Sequence, residues 1–234
     1  MQNNNSVIEA RDVSKYYLAG KARFAAISHV NIQISKGEFI SVMGPSGSGK
    51  TTLLNCLSGL DRISEGAVLV NGSNMAEMSD TEISRFRARN MGFVFQNYAL
   101  LPVFTTVENV ELPSLILGER ASVARQKALR TLELVGMGNR ADFKPSQLSG
   151  GEQQRAAIAR ALVNSPEVIW ADEPTGNLDT ESGRVIMEMF KELNRTLSST
   201  VVVVTHDERV ASYTHRSIYI MDGRIVDGQA GTQS

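Results

Sequence analysis

The stretch "EFISVMGPSGSGKTTLLNCLSGL", residues 38 to 60, constrains the fold more than any other part of this chain. Its first six residues form a largely apolar, strand-forming run. A glycine-rich turn follows, and then a segment with helical apolar spacing. A buried strand feeding a helix through a tight turn is the building unit of an α/β fold. The turn, "GPSGSGKT", fits the pattern G-x-x-x-x-G-K-[ST] through Gly44, Gly49, Lys50 and Thr51. Such glycines let successive backbone N–H groups curve around phosphate oxygens. Lys50 brings positive charge toward the β- and γ-phosphates, and Thr51 offers its hydroxyl to Mg²⁺. The helix that follows adds the partial positive charge of its N-terminus. A strand–turn–helix corner can match the pattern by accident, but this context favours nucleotide binding.

Further strands and helices follow along the chain, without an internal repeat. "VIEARDV" and "VNIQIS" alternate like half-exposed strands, and "GAVLVNG" is a short strand between turn residues. "DTEISRFRARN" reads as a helix and "MGFVF" as a strand. From about Tyr98 to Leu162 the character turns helical, with "VENVELPSLIL", "ASVARQKALRTLELVG" and "GGEQQRAAIARALV". The spacing of Val123, Leu129, Leu132 and Val135 predicts one helical face, and that of Ile186, Met189, Phe190, Leu193 and Leu197 another. Strands return with "EVIWAD", "TVVVVTH" and "SIYIMDG". Buried strands alternating with helices predict an α/β core with a largely parallel sheet, interrupted by a helical insertion. The two ends, "QNNNS" and "DGQAGTQS", read as frayed.

Two further strand ends carry chemistry. "VIWADEP" ends an apolar strand with Asp172 and Glu173. Phosphoryl transfer to water needs a charge clamp and a group that positions the water. Asp172 suits the metal, through water, and Glu173 suits the γ-phosphate side. A solvated acidic loop is the bland alternative, and proximity to the phosphate loop weighs against it. "VVVVTHDE" places His206, and "MGFVFQ" places Gln96, just after apolar strands, where ligands gather in parallel sheets. His29 and His215 read as surface or packing residues, and Trp170 as core. "SQLSGGEQQRAAIARAL", residues 146 to 162, opens a second helix on two glycines and is a second place suited to phosphate.

Composition narrows the partners. A chain of 234 residues, 42% hydrophobic, suits one compact domain with an ample core. Lys+Arg is 24 against Asp+Glu 25, so there is no basic excess and nucleic acid is not an expected partner. The single cysteine, Cys56, makes neither an internal disulfide nor a zinc cluster, and a reducing cytoplasm fits. No signal peptide opens the chain, and no apolar run approaches the roughly 20 residues that span a bilayer. Work at a membrane would go through a partner.

These elements, in this order, resemble the ATP-binding cassette (ABC) ATPases over about residues 7 to 227, and "LSGGEQQR" at Leu148 to Arg155 is that family's diagnostic motif. The resemblance implies one cassette over residues 1–234. About 1–96 and 163–234 would form a phosphate-loop core with an antiparallel β subdomain, and about 97–162 a helical lobe. It implies ATP and Mg²⁺ as cofactors. Nucleotide would be held by Gly44, Pro45, Ser46, Gly47, Ser48, Gly49, Lys50, Thr51 and Thr52. Tyr17 looks like the aromatic that stacks on adenine, with Tyr16 the neighbouring candidate. Thr51, Gln96 and Asp172 look like the metal set. Glu173 looks like the general base, His206 like the γ-phosphate sensor, and Gln96 and Lys50 complete the catalytic group. Ser149, Gly150 and Gly151 would contact ATP held by a second ATPase subunit in a homodimer, and the "GNLD" loop ending at Asp179 would cross to that subunit.

"GFVFQ", "LLP…T…ENVELP" and "ADEPTGNLD" look most like the subgroup of lipoprotein-releasing, macrolide-exporting and cell-division ATPases. The resemblance therefore implies an ATPase bound to an integral-membrane permease on the cytoplasmic face. "NYALLPVFTTVENVEL" reads either as the permease docking groove or as an internal staple of the helical lobe. A soluble ABC ATPase in translation or DNA repair is the competing reading. It would ordinarily carry two cassettes or a coiled-coil insertion, and neither is visible. A small-molecule kinase would not need "LSGGEQQR".

Overall fold

The computed structural model describes residues 5–20 and 22–226. The readings of the ends at residues 2–4 and 227–234 lie outside them. Among the described residues, ten strands and seven helices run in the order β1 (Ser6–Ala19), β2 (Ala22–Ser35), β3 (Phe39–Met43), α1 (Lys50–Leu57), β4 (Glu65–Val70), β5 (Ser73–Asn74), α2 (Asp80–Asn90), β6 (Met91–Phe95), α3 (Thr106–Ile116), α4 (Ala121–Leu134), α5 (Gly150–Leu162), β7 (Val168–Asp172), α6 (Thr180–Leu197), β8 (Thr200–Thr205), α7 (Glu208–Ala211), β9 (Arg216–Met221) and β10 (Arg224–Val226). Short 3-10 turns lie at Met75–Glu77, Gly138–Arg140 and Pro145–Gln147.

The strands form two sheets. A four-stranded antiparallel sheet has the order β2-β1-β4-β5, and a six-stranded sheet the order β10-β9-β3-β8-β7-β6. All pairs of the larger sheet are parallel except β9 with β10. β3 and β8 are buried at every residue, which is why both read as continuous apolar runs rather than as alternations. Their side chains split between two cores. Ile40, Val42, Trp170, Val202 and Val204 pack with Leu53, Leu54 and Leu57 of α1 and with Ile8 and Ile27 of the antiparallel sheet. Phe39, Ile169, Ala171, Val201 and Val203 pack on the other face with Ile158 and Ala159 of α5 and Ile186 and Phe190 of α6. Trp170 is core, as the sequence implied, and Cys56 is buried.

Helix starts follow their caps. Ser79 with Glu82, Thr105 with Glu108, and Ser149 with Glu152 each form a reciprocal capping box. Two predicted faces need correction. On α4 the buried line is Ala124, Ala128 and Leu132, whereas Val123 and Leu129 are exposed. Residues four apart stack on one face, and the small alanines let α4 approach α3 closely. The larger side chains at Val123 and Leu129 are left on the flanks. On α6, Leu197 is exposed at the C-terminal end and Met187 is buried instead.

β6 and α5 also meet through a small residue. A Cβ on Gly92 would lie 2.3 Å from the carbonyl oxygen of Ala161. Gly92 has no positive φ, so the constraint is close approach alone. Gly92→Ala is expected to destabilise the chain by about 1–3 kcal/mol, through forced separation of β6 and α5. Urea denaturation measures it, and an unchanged midpoint would contradict the tight contact.

Candidate functional site

The parallel register brings the chemistry to one edge. Met43 pairs with Thr205, Asp172 pairs with Val204, and Phe95 pairs with Asp172. The next residues in each chain segment are Gly44, His206, Glu173 and Gln96. Four strand ends therefore stand at the carboxyl edge of one sheet.

The phosphate loop leaves β3 at Gly44 and enters α1 at Lys50. A Cβ on Gly44 would lie 2.1 Å from the carbonyl oxygen of Ile220. Gly49 is the N-cap at φ 101, and its Cβ would meet the Ala26 carbonyl at 2.5 Å. Only glycine fits both positions without moving backbone. The Gly223 N–H donates to the Ser48 carbonyl at 3.0 Å, and the Ser28 N–H to the Gly223 carbonyl at 2.8 Å. The antiparallel sheet thus ties down the loop. Lys50 is buried at 8% exposure, and its Nζ donates to the carbonyls of Gly44 and Pro45 at 2.8 and 2.9 Å.

Above this loop lies an open cavity of about 660 Å³. That volume suits a nucleotide-sized ligand. Its wall includes Tyr17, Phe24, Ser46, Gly47, Gly49, Lys50, Thr51, Thr52, Glu173 and Asp222. Adjacent strand residues face opposite ways. Tyr17 lines the cavity, whereas Tyr16 has Arg23 over its ring at 3.6 Å and donates its phenol O–H to Glu65 at 3.2 Å.

The two carboxylates diverge as the chain turns. Thr51 Oγ1 donates to Asp172 Oδ1 at 3.3 Å. Burial pushes the Asp172 carboxyl up; the Thr51 hydrogen bond opposes this, while Glu173 adds to it. A cation beside Asp172 would offset that burial. The hydroxyl and carboxylate are hard oxygen donors of the type Mg²⁺ takes. Among the described residues no group of three His, Cys, Asp or Glu forms a cage for a metal. Glu173 sits at φ 47, a left-handed conformation that costs a non-glycine residue about 1–3 kcal/mol. Its backbone N–H donates to the Val204 carbonyl at 2.9 Å. Its Oε1 lies 2.7 Å from His206 Nδ1, and its Oε2 accepts from Thr205 Oγ1 at 3.3 Å. The turn thus aims Glu173 into the cavity.

Other expected residues stand apart. The exposed Gln96 side chain donates to Asn177 Oδ1 at 3.4 Å, and Asn177 Nδ2 returns a bond to the Gln96 carbonyl at 3.0 Å. None of the hydrogen bonds of Gln96 reaches Thr51 or Asp172. Ser149, Gly150, Gly151 and Asp179 are absent from the cavity wall. Asp179 caps α6, accepting from the Ser182 N–H at 2.9 Å and Oγ at 2.6 Å. Gly151 faces Ser182. His29 is exposed, with Nδ1 2.8 Å from Asp12 Oδ1, and His215 accepts the Phe39 N–H, so both have structural settings.

Several residues at the site escaped sequence reasoning. Phe24 carried no motif, and nothing within "TVVVVTH" or "GNLD" singled out Thr205 or Asn177. Arg160 donates to the carbonyls of Tyr98 and Ala99, which both hold positive φ just after Gln96. One of two arginines in an alanine-rich helix, it gave no hint of that role.

The ABC transporter family model matches residues 27–176. The chain belongs to the ABC transporter ATPase family. An uncharacterized ABC transporter ATP-binding protein of Methanocaldococcus jannaschii, MJ0796, is 46% identical over 94% of this chain and 95% of its own length. The lipoprotein-releasing system ATP-binding protein LolD of Xanthomonas campestris is 44% identical over 94% of this chain and 92% of its own. The macrolide export ATP-binding/permease protein MacB of Burkholderia pseudomallei is 45% identical over 94% of this chain but only 34% of its own. A dimeric structure of MJ0796 in a post-hydrolysis state with ADP and Pi superposes with a TM-score of 0.86, covering 93% of this chain and 96% of that one. The ABC fold and the subgroup read from the motifs both hold.

In this ABC ATPase the LSGGEQQR segment is a rigid helix start. Glu152 Oε2 accepts the Ser149 N–H and Oγ–H, both at 2.9 Å, while Arg140 Nε donates to Oε1 at 2.8 Å. Arg140 first, then Ser149, hold the Glu152 carboxyl down at about 2, against an ordinary 4.5. A carboxyl depressed in the folded state contributes stability that is fully present above the unfolded value of 4.5 and is lost as pH falls toward about 2. Glu152→Gln is therefore expected to flatten the fall in unfolding free energy across that window. Urea denaturation at stepped pH checks this, and an undiminished slope would contradict it.

Proposed function

We propose that this chain is the ATP-hydrolysing subunit of a membrane transporter, working as a homodimer around two ATP molecules. The observation that carries the reading is the separation of two anion-binding features. The phosphate loop and Glu173 share one cavity. The helix start at Ser149, Gly150 and Gly151 lies outside its wall. A chain with one copy of each, apart, makes a complete site only with a second chain. Two such chains related by a twofold axis would enclose two ATP molecules.

In that arrangement each residue has a task. The loop from Gly44 to Thr52 and the start of α1 bind the phosphates, and Lys50 turns its ammonium from the loop carbonyls toward the β- and γ-phosphates. Tyr17 stacks on the base. Thr51 and Asp172 hold Mg²⁺, with Gln96 joining them on closure. Mg²⁺ supplies charge that offsets the phosphates. Glu173 takes the proton of the attacking water, with Thr205 and His206 fixing its carboxylate. Asp179 and the 176–179 turn face the second subunit.

The helical lobe, over about residues 97–162, passes this closure to an integral-membrane permease. No helix of the described residues is long and apolar enough to cross a membrane. In this reading the chain sits at the cytoplasmic face through that permease. The exposed Leu101 and Val103 support docking after Gln96, whereas Val107 and Val110 fill the lobe's own core. The stretch thus divides between a surface and a staple. The relatives named for lipoprotein release and macrolide export support export, lipoprotein release or mechanical transmission as the work done.

Glu173→Gln tests the reading. It is expected to bind ATP, to lose turnover by about two orders of magnitude or more, and to accumulate as a dimer. Size-exclusion chromatography with and without ATP measures this. A variant that stays monomeric with ATP, alone and with its permease, would overturn the homodimeric site.

A further inference from the structure

Behind the aromatic wall of the cavity lies a polar cluster that no phosphate contact requires. Asp61 sits in the turn after α1, and its carboxylate is shared between two side chains of β1. Its Oδ2 accepts the Tyr17 phenol O–H at 2.6 Å, and its Oδ1 accepts Lys15 Nζ at 2.6 Å. Lys15 Nζ also donates to the Arg62 carbonyl at 2.7 Å and stands 4.9 Å from the Tyr17 ring centroid. These groups are well shielded, with Lys15 at 12% and Asp61 at 32% side-chain exposure. Phe24, the cross-strand partner of Tyr17, completes the wall with ring centroids 5.8 Å apart.

The cluster has a consequence for binding. A surface tyrosine at a strand end is free to change rotamer, and ordering it on a ligand costs free energy. Here both ends of the side chain are fixed: the backbone by the β1–β2 ladder and the phenol by Asp61. Charge-assisted hydrogen bonds of this kind are the stronger class. Burial, then Asp61, push the phenol up to about 12, so the O–H remains a donor through the neutral range.

We propose that Asp61 is a positioning residue for nucleotide binding, which holds the Tyr17 ring as a preformed stacking platform for a purine base. The proposal rests on the reading of Tyr17 as the base-stacking residue. It ties the turn after α1, and so the phosphate-loop helix, to the base end of the cavity. The spacing between base platform and phosphate loop is then set by one carboxylate.

Calorimetric titration of the full chain with ATP and with inorganic tripolyphosphate tests it, because only ATP carries a base. Tyr17→Ala is expected to weaken ATP about tenfold and tripolyphosphate not at all. Asp61→Ala and Tyr17→Phe remove the same hydrogen bond from its two sides. Each is expected to weaken ATP about three- to fivefold, again with tripolyphosphate unaffected. The double variant should be no weaker than either single one, since the two changes break one interaction. Asp61→Asn keeps an acceptor for the phenol and should retain most of the affinity. Unchanged ATP affinity in Asp61→Ala or Tyr17→Phe, with a loss in Tyr17→Ala, would overturn the positioning role and leave base stacking intact. Equal losses for both ligands in Asp61→Ala would also overturn it, as damage to the phosphate loop. Normal ATP binding by Tyr17→Ala would overturn the stacking reading itself.

Discussion

The parallel hydrogen-bond ladder across β3, β8 and β7 sets Met43 beside Thr205 and Asp172 beside Val204. The strands then release Gly44 and His206 at one level and Glu173 one residue before it, all at the same sheet edge. A register slip of one residue would turn every side chain of a strand to the other core. It would also misplace the carboxylate relative to the phosphate loop. The slip is resisted by packing, because β3 and β8 bury every side chain on both faces. Core packing and site geometry are thus one constraint. The strained φ of Glu173 is sustained by the same ladder, through its N–H bond to the Val204 carbonyl.

The second organising feature is that the chain spends its two phosphate-suited helix starts in different places. α1 opens into the cavity with Lys50 and Thr51. α5 opens elsewhere, with Ser149 locked to Glu152 and Glu152 locked to Arg140. The family match places both starts in an ABC ATPase. The proposed dimer gives the second one a ligand. On that account, ATP binding and interface closure are a single event, and the helical lobe carries its motion outward. Arg160 extends from the same helix as Ser149 to the left-handed residues that follow Gln96.

Much of this was legible in the residues. Helix α2 and strand β6 fall where "DTEISRFRARN" and "MGFVF" begin and end, because a capping box starts the one and a switch from polar to apolar residues starts the other. The loop from Gly44 to Thr51 was legible because its glycines are required by backbone clashes. What was not legible depends on long-range contact. The face of α4 was misread because its buried line is made of alanines, which carry little hydrophobic signal. Tyr16 and Tyr17 were separable only once β1 had a direction. Asp61 belongs to no motif, and nothing within their motifs singles out Thr205 or Asn177; the contacts of all three come from partners far away in sequence.

The central claim is that each ATP site is built from the phosphate loop of one chain and the LSGG helix start of another. Mixing two disabled chains tests this most directly. Lys50→Ala alone and Ser149→Arg alone should both fail to hydrolyse ATP under conditions where the unaltered chain turns over. A mixed dimer contains one site with both defects and one site with neither. The account predicts that mixing restores phosphate release, in proportion to the mixed dimers formed. A mixture no more active than its separate components would contradict it.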